Sequence, residues 1–260
     1  MKVIQRVLPS NIGPQVKIIP FSDLHIGSAK CNLTLIKEQV KKVKDDPNTY
    51  AIIVGDLINN STKTSVGDVY SEPIPPMKQI EMAVDIFEPI KDKILAITAG
   101  NHERRSYKTD GVDLVAFFAL ELGLQKCYDY VAPMLFLSVG GATKHHSGAK
   151  TCYSIYITHG DGSNGRTIGG KANSLGKRGG VCCSDIIITG HTHEALTFRE
   201  VINFADCNHK AIVQKETVFV NCGATLDYEE YAELYGMRPS SLVQPEIILS
   251  CKEKGIKVIL

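Results

Sequence analysis

Five short segments close apolar runs with residues able to bind metal: Asp23-Leu24-His25, Gly55-Asp56, Gly100-Asn101-His102-Glu103, His159-Gly160 and Gly190-His191-Thr192-His193. Together they supply seven candidate ligands, Asp23, His25, Asp56, Asn101, His159, His191 and His193. Carboxylate and amide oxygens combined with neutral imidazoles, with no thiolate among them, select borderline to hard divalent ions such as manganese, iron or zinc. Seven ligands exceed the needs of one ion and suffice for two that share a bridging carboxylate. Two ions about 3.5–4 Å apart can clamp the attacking and the leaving oxygen of an in-line displacement at phosphorus, so these residue types imply phosphoryl chemistry. A lone Asp or His at a strand end is more often a cap or turn residue. Five such ends in order reverse that weighting.

For the segments to converge, the strands before them must end along one edge, since ligands of layered α/β sheets bind in the crevice outside the strands' carboxyl ends. Residues 16–22, 50–54 and 94–98 read as buried strands. Helical spacing covers residues 33–44, a stretch opened by Pro75-Pro76 in which Ile80, Ala83, Val84, Phe87 and Ile90 recur, and residues 112–122. Beyond Asp129, strands at 134–139, 152–158, 185–189, 217–221, 246–250 and 256–260 make the second half sheet-rich. Residues 160–180, rich in Gly, Ser, Lys and Arg, read as a long loop with room for one helical turn, and loops of that length are often functional. The expected fold is α/β, two packed sheets with helices outside, in a single domain over residues 1–260.

Composition sets the class. A chain of 260 residues that is 43% hydrophobic and 22% charged has material for a sizeable core. A net charge of +1 gives no global pull toward nucleic acid or anionic membrane. No run is long enough to span a bilayer and the first twenty residues lack a leader pattern, so a cytoplasmic protein with no membrane partner is expected. The eight cysteines, with no C-x-x-C pair, read as reduced core thiols and not as staples or a zinc cluster.

The ordered series D-x-H, G-D, G-N-H-E, H and G-H-x-H, from Asp23 to His193, resembles the signature of the calcineurin-like metallophosphoesterases. The resemblance implies a four-layer α/β/β/α sandwich of two mixed β-sheets flanked by helices. It implies one metal on Asp23, His25, Asp56 and His193, and a second on Asp56, Asn101, His159 and His191, with Asp56 bridging. The implied cofactors are two divalent ions, manganese foremost, with iron, zinc or nickel as alternatives. The implied reaction is hydrolysis of a phosphate ester by in-line attack of a metal-bound hydroxide, with Asp56 and His102 as the catalytic residues and His102 assisting the leaving oxygen. A phosphodiester, nucleotide or nucleic acid, is the favoured substrate; a small-molecule phosphomonoesterase and a non-catalytic metal-binding interaction scaffold are the alternatives.

The match departs from one branch. Where serine/threonine protein phosphatases carry an acidic residue and an arginine after the Gly-Asp motif, this chain has Asn59 and Asn60. That argues against a protein phosphatase of that branch and leaves orientation of His102 to Asn59 or another partner. Arg104, Arg105 and Arg166 become the candidates for gripping phosphate, by nearness to the motifs. Arg104-Arg105-Ser106-Tyr107-Lys108 also fits a nucleic-acid contact, with a helix start or exposed turn slightly favoured. Residues 165–171 spell G-x-x-x-x-G-K, but Ala172 stands where a phosphate-binding loop needs Ser or Thr, so the pattern is coincidental. His145, His146 and His209 read as surface residues. Residues 228–245 fit either a substrate pocket or a subunit contact, and the oligomeric state is open.

Overall fold

The computed structural model describes residues 1–9, 11–62, 74–141, 150–161, 167–228, 239 and 241–260. In chain order the elements are β1 (Val3–Val7), β2 (Gln15–Phe21), α1 (Leu33–Asp45), β3 (Thr49–Ile53), α2 (Pro76–Phe87), β4 (Ile94–Thr98), α3 (Glu103–Asp110), α4 (Leu114–Glu121), β5 (Tyr128–Asp129), β6 (Met134–Val139), β7 (Thr151–Ile157), α5 (Ile168–Gly176), β8 (Ile186–Thr189), β9 (Leu196–Asp206), β10 (Ala211–Asn221), β11 (Glu246–Ser250) and β12 (Ile256–Ile259). They form two six-stranded mixed sheets, ordered β12-β11-β2-β3-β4-β5 and β1-β6-β7-β8-β10-β9.

Strands β2, β3 and β4 are parallel neighbours covered on both faces, which is why β3 and β4 are buried throughout and show no polar alternation. The two-residue pleat sends alternate side chains into different layers. Ile18, Ile52 and Leu95 face the other sheet and meet Leu135, Leu137, Ile155, Ile188 and Val220. Ile19, Phe21, Ile53 and Ile97 face outward onto Ile36 of α1, Ile80 and Phe87 of α2 and Phe118 of α4. Across the molecule, Tyr156, Ile187 and Phe219 pack under Leu175 of α5. The result is the four-layer α/β/β/α sandwich.

Helix α1 starts where Asn32 accepts a hydrogen bond from the Leu35 amide, and it buries Ile36, Val40 and Val43 on one stripe. Asp113 caps α4 in the same way, so this helix begins at Leu114 and not at residue 112. The strands expected at 94–98, 134–139 and 246–250 coincide with β4, β6 and β11, and the others differ by a residue or two at their ends, apart from β10.

Three expectations need correction. Residues 160–180 carry a nine-residue helix, α5, and a 3-10 turn at Lys177–Gly180. Gly169, Gly170 and Gly176 weaken its intrinsic propensity, but Thr167 caps it and burial of Leu175 holds it to the sheet. Strand β10 begins ten residues before Asn221 and pairs along its whole length with β9, which sequence reading did not find. Much of this hairpin is exposed on both faces, so neither strand shows the alternation by which a half-buried strand is recognised. All eight cysteines are free, yet Cys152 and Cys207 are exposed, so the core reading holds fully only for Cys127 and Cys222.

Asp185 ties β8 to β7. Its carboxylate accepts from the Ser154 amide (2.7 Å) and hydroxyl (2.8 Å) and pairs with Lys254 (2.8 Å). Burial opposes its charge, but Lys254 and Ser154 outweigh that and lower its pKa below 3.8. A depressed carboxyl stabilises the fold above its unfolded pKa, and that contribution is lost as pH falls through the folded value. Asp185→Asn is therefore expected to cost about 1–3 kcal/mol at neutral pH. It should also flatten the acid limb of the stability curve below pH about 4. Urea melts of both proteins between pH 3 and 7 measure this, and parallel curves would refute it.

Candidate metal centre

The strands end where the candidate ligands begin. Asp23 and His25 follow β2, Asp56 follows β3, and Asn101 and His102 follow β4. His159 follows β7, while His191 and His193 follow β8, its parallel neighbour in the other sheet. Stacking the sheets face to face brings these two edges together. The loops then lock to one another: the Leu24 and His25 amides donate to the Asp56 carbonyl, and the Gly190 amide donates to His159.

The backbone is strained here. Among the described residues, seven that are not glycine have positive φ, and five of those are candidate ligands: Asp23 (53°), His25 (48°), Asp56 (48°), His191 (69°) and His193 (55°). Such conformations cost on the order of 1–3 kcal/mol each and persist when the surroundings enforce them, as at functional sites. Two glycines make room. A Cβ on Gly100 would lie 2.0 Å from an Asp56 carboxylate oxygen, and one on Gly190 would lie 1.9 Å from the Ser22 hydroxyl.

The candidate ligands converge in two groups, and a third set, His25, Asp56 and His102, overlaps them. In the first, His193 Nε2 lies 3.2 Å from Asp23 Oδ1 and 3.3 Å from His25 Nε2, which is 4.0 Å from Asp56 Oδ2. In the second, His159 Nε2 lies 3.2 Å from Asp56 Oδ2, 3.0 Å from Asn101 Oδ1 and 3.3 Å from His191 Nδ1. Asp56 Oδ2 stands between the groups. His159 donates from Nδ1 to the Val54 carbonyl at 2.8 Å, which turns its Nε2 lone pair into the site, as a metal-binding imidazole requires. Ring nitrogens and carboxylate oxygens crowded together with their lone pairs inward fit divalent cations.

The electrostatics agree. Burial opposes charge on Asp23, but His159 and His193 outweigh it and lower its pKa to about 2. Burial is likewise overcome at Asp56, which His159 and His102 hold well below the usual carboxylate range. Burial, with His102 close by, pushes His25 well below its ordinary value, and burial with His159 lowers His191. Burial also disfavours charge on His159, yet Asp56 and Asp23 raise it to about 9, so this position attracts positive charge. A bound metal would take the place of that proton.

A family model described as calcineurin-like phosphoesterase matches residues 16–195, from β2 past the last candidate ligand. The chain belongs to this family. No curated protein matches it by sequence. Solved structures similar to this calcineurin-like phosphoesterase include Vacuolar Protein Sorting 29 from Cryptosporidium parvum, at 13% identity and TM-score 0.42 over 94% of this chain and 96% of that one. Another is the calcineurin-like phosphoesterase YfkN from Bacillus subtilis, at 13% identity and TM-score 0.39, covering 94% and 90%. A third is GAP50, the anchor in the inner membrane complex of Plasmodium, at 12% identity and TM-score 0.46, covering 95% and 84%.

The other singled-out residues of this calcineurin-like phosphoesterase are placed as follows. His102 donates from Nδ1 to the Asn59 carbonyl at 2.6 Å, and its Nε2 lies 3.8 Å from Asp56 Oδ2. Burial, with Arg105 nearby, lowers its pKa. Arg104 donates to the Ala99 (3.1 Å) and Tyr130 (3.0 Å) carbonyls and stacks on the Tyr130 ring. Arg105 approaches the Asn59 and Asn60 carbonyls at 3.3 and 3.4 Å. Residues 104–108 lie within α3, as the helix-start reading expects. His209 is exposed and pairs with Asp206. Arg166, His145, His146 and most of residues 228–245 lie outside the described residues.

Sequence reasoning missed two supporting residues. Glu103 is buried and accepts from the amides of Gly100 (2.8 Å), Ile58 (3.0 Å) and Asp56 (3.2 Å), joining the ends of β3 and β4. Burial and then Asp56 raise its pKa to about 7. Asn221 accepts from Thr189 (2.6 Å) and donates to Thr192 (2.8 Å) and the Glu194 carbonyl (2.7 Å), bracing the loop of His191 and His193. Its signal was available, since β10 too is an apolar run that closes on Asn.

Proposed function

We propose that this protein hydrolyses a phosphate ester, preferably a phosphodiester of a nucleotide or nucleic acid, with two divalent ions, manganese foremost. Asp23, His25, Asp56 and His193 would hold one ion, and Asp56, Asn101, His159 and His191 the other. The observation that carries the reading is one buried carboxylate, Asp56, standing between two groups of convergent donors with the His102 ring beside it. The ions would supply an acidified water and offset charge on the phosphoryl group.

The protein's own residues do the rest. Asp56 is fixed through its second oxygen, Oδ1, which accepts from the His102 amide at 2.9 Å. The Asn59 carbonyl holds His102 Nδ1–H, so Nε2 is the nitrogen turned toward the reacting group; in the imidazolium form, which substrate phosphate would favour against the burial that lowers the ring's pKa, the Nε2 proton can pass to the leaving oxygen. Service to a leaving sugar oxygen is what favours the diester. Arg105, whose guanidinium meets the Asn59 carbonyl that also holds His102, is the arginine we assign to substrate phosphate, with Arg104 and Arg166 as further candidates. Among the described residues no helix is long and apolar enough to cross a membrane, and we assign the protein to the cytoplasm.

The test compares manganese-loaded protein on bis-nitrophenyl phosphate and mono-nitrophenyl phosphate. Faster turnover of the diester is expected. Preference for the monoester would move the substrate to small phosphomonoesters. Hydrolysis of neither, with both ions bound, would count for a scaffold.

A further inference from the structure

We propose that Gln79 is a positioning residue for His102, acting through the backbone of residues 59–60. The inference rests on the phosphoesterase reading of His102. Where related protein phosphatases orient the catalytic histidine with an acidic side chain, this chain uses a main-chain carbonyl, that of Asn59. A carbonyl can aim a ring only as well as its own peptide is held, so whatever anchors residues 59–60 sets the orientation of His102.

Gln79 is one such anchor, beside the Ile26 carbonyl, which accepts from the Asn59 amide at 3.0 Å, and Arg105, which meets both carbonyls. Gln79 is a polar residue with no exposed surface, set on α2 beside the core positions Ile80 and Ala83. Its Oε1 accepts from the Asn60 amide at 2.9 Å, and its Nε2 donates to the Ile74 carbonyl at 2.7 Å. Asn60 is fully buried in the left-handed region (φ 42°), a conformation that its surroundings must enforce. Its side chain donates to the His102 carbonyl at 2.7 Å and accepts from the Ser106 hydroxyl at 3.0 Å. The Gln79 stem also lies on Gly27, where a Cβ would come within 2.4 Å of it. Gly27 follows the His25 loop, and the His25 and His102 rings meet edge to face, with centroids 4.4 Å apart. One amide thus bears on both loops that meet at His102.

Without this acceptor the Asn60 amide is orphaned, the 59–60 peptide relaxes, and the His102 Nδ1–H bond loosens. Misplacement of a catalytic group by about 1 Å costs roughly a hundredfold in rate. Gln79→Met keeps an unbranched stem over Gly27 and removes the acceptor; Gln79→Glu keeps the acceptor. The experiment records ring N–H resonances of the zinc-loaded, 15N-histidine-labelled protein, zinc being diamagnetic, with His102→Gln assigning the His102 signal. The wild type is expected to show a hydrogen-bonded Nδ1–H, which Gln79→Met loses or shifts while both ions stay bound and which Gln79→Glu retains. In turnover, Gln79→Met should lower kcat on diphenyl phosphate about 10- to 100-fold with KM unchanged, and lower it less on the nitrophenyl diester, whose leaving group needs little protonation. An unchanged His102 resonance in Gln79→Met overturns the proposal. Should that variant not fold, loss of the resonance in Gln79→Glu overturns it equally. Wild-type protein that shows the resonance and hydrolyses no ester would instead sink the phosphoesterase reading.

Discussion

Asp56→Ala is expected to lower ester hydrolysis by at least about a thousandfold and to cut bound metal from two ions per chain to one or none. The size follows from the metals' stabilisation of transition-state charge, which is worth several kcal/mol, with each ~1.4 kcal/mol a factor of ten. Asp56 Oδ2 is the oxygen that both donor groups approach, 3.2 Å from His159 and 4.0 Å from His25. Its removal takes a ligand from each group at once. Metal content of the dialysed protein by mass spectrometry, read beside turnover, measures both effects. Two tightly held ions in the variant would mean that Asp56 does not bridge, and the assignment of the two ligand sets would fail. Far-UV circular dichroism serves as the control, because Oδ1 of the same carboxylate also accepts the His102 amide and its loss reaches the start of α3.

His102→Ala is expected to behave differently, losing about 10²–10⁴-fold in turnover, the usual worth of general acid–base assistance. Both ions should remain bound. The loss should be greater on diphenyl phosphate than on the nitrophenyl diester, since a better leaving group needs its proton less. The alternative is concrete. His25, Asp56 and His102 together present a third group of convergent donor atoms, so a variant that retains only one ion would make His102 a ligand. Turnover equal to wild type on every diester would remove the ring from the mechanism.

How much of this was legible depends on which forces act locally. The strands before the ligands could be read because β3 and β4 are buried on both faces and carry apolar runs that need no partner to be recognised. The candidate ligands could be found because Asp, Asn and His repeatedly close such runs, whatever the loops do afterwards. Helices α1, α2 and α4 were visible through helical spacing, with the α4 start set two residues early because the cap at Asp113 was not read. The β9–β10 hairpin was not, because its outer half is held by cross-strand hydrogen bonds and leaves no burial pattern. Helix α5 was obscured because its glycines argue against a helix that only packing on the second sheet retains.

By itself, then, the sequence determined the chemistry on offer: seven oxygen and nitrogen donors, a histidine beside one of them, and strands to carry them to an edge. The resemblance already implied a division of those donors into two sets sharing Asp56; only the tertiary structure showed them meeting, since His159, His191 and His193 come from a different sheet than Asp23, His25, Asp56 and Asn101. It also decided that the Asn59 carbonyl accepts from the His102 ring, and that the amide of the next residue, Asn60, is bonded to Gln79 from α2. The reason is physical. A residue's type fixes which atoms can donate or accept, but which atoms meet depends on the close packing of two sheets and on left-handed loop conformations that no single segment would adopt alone.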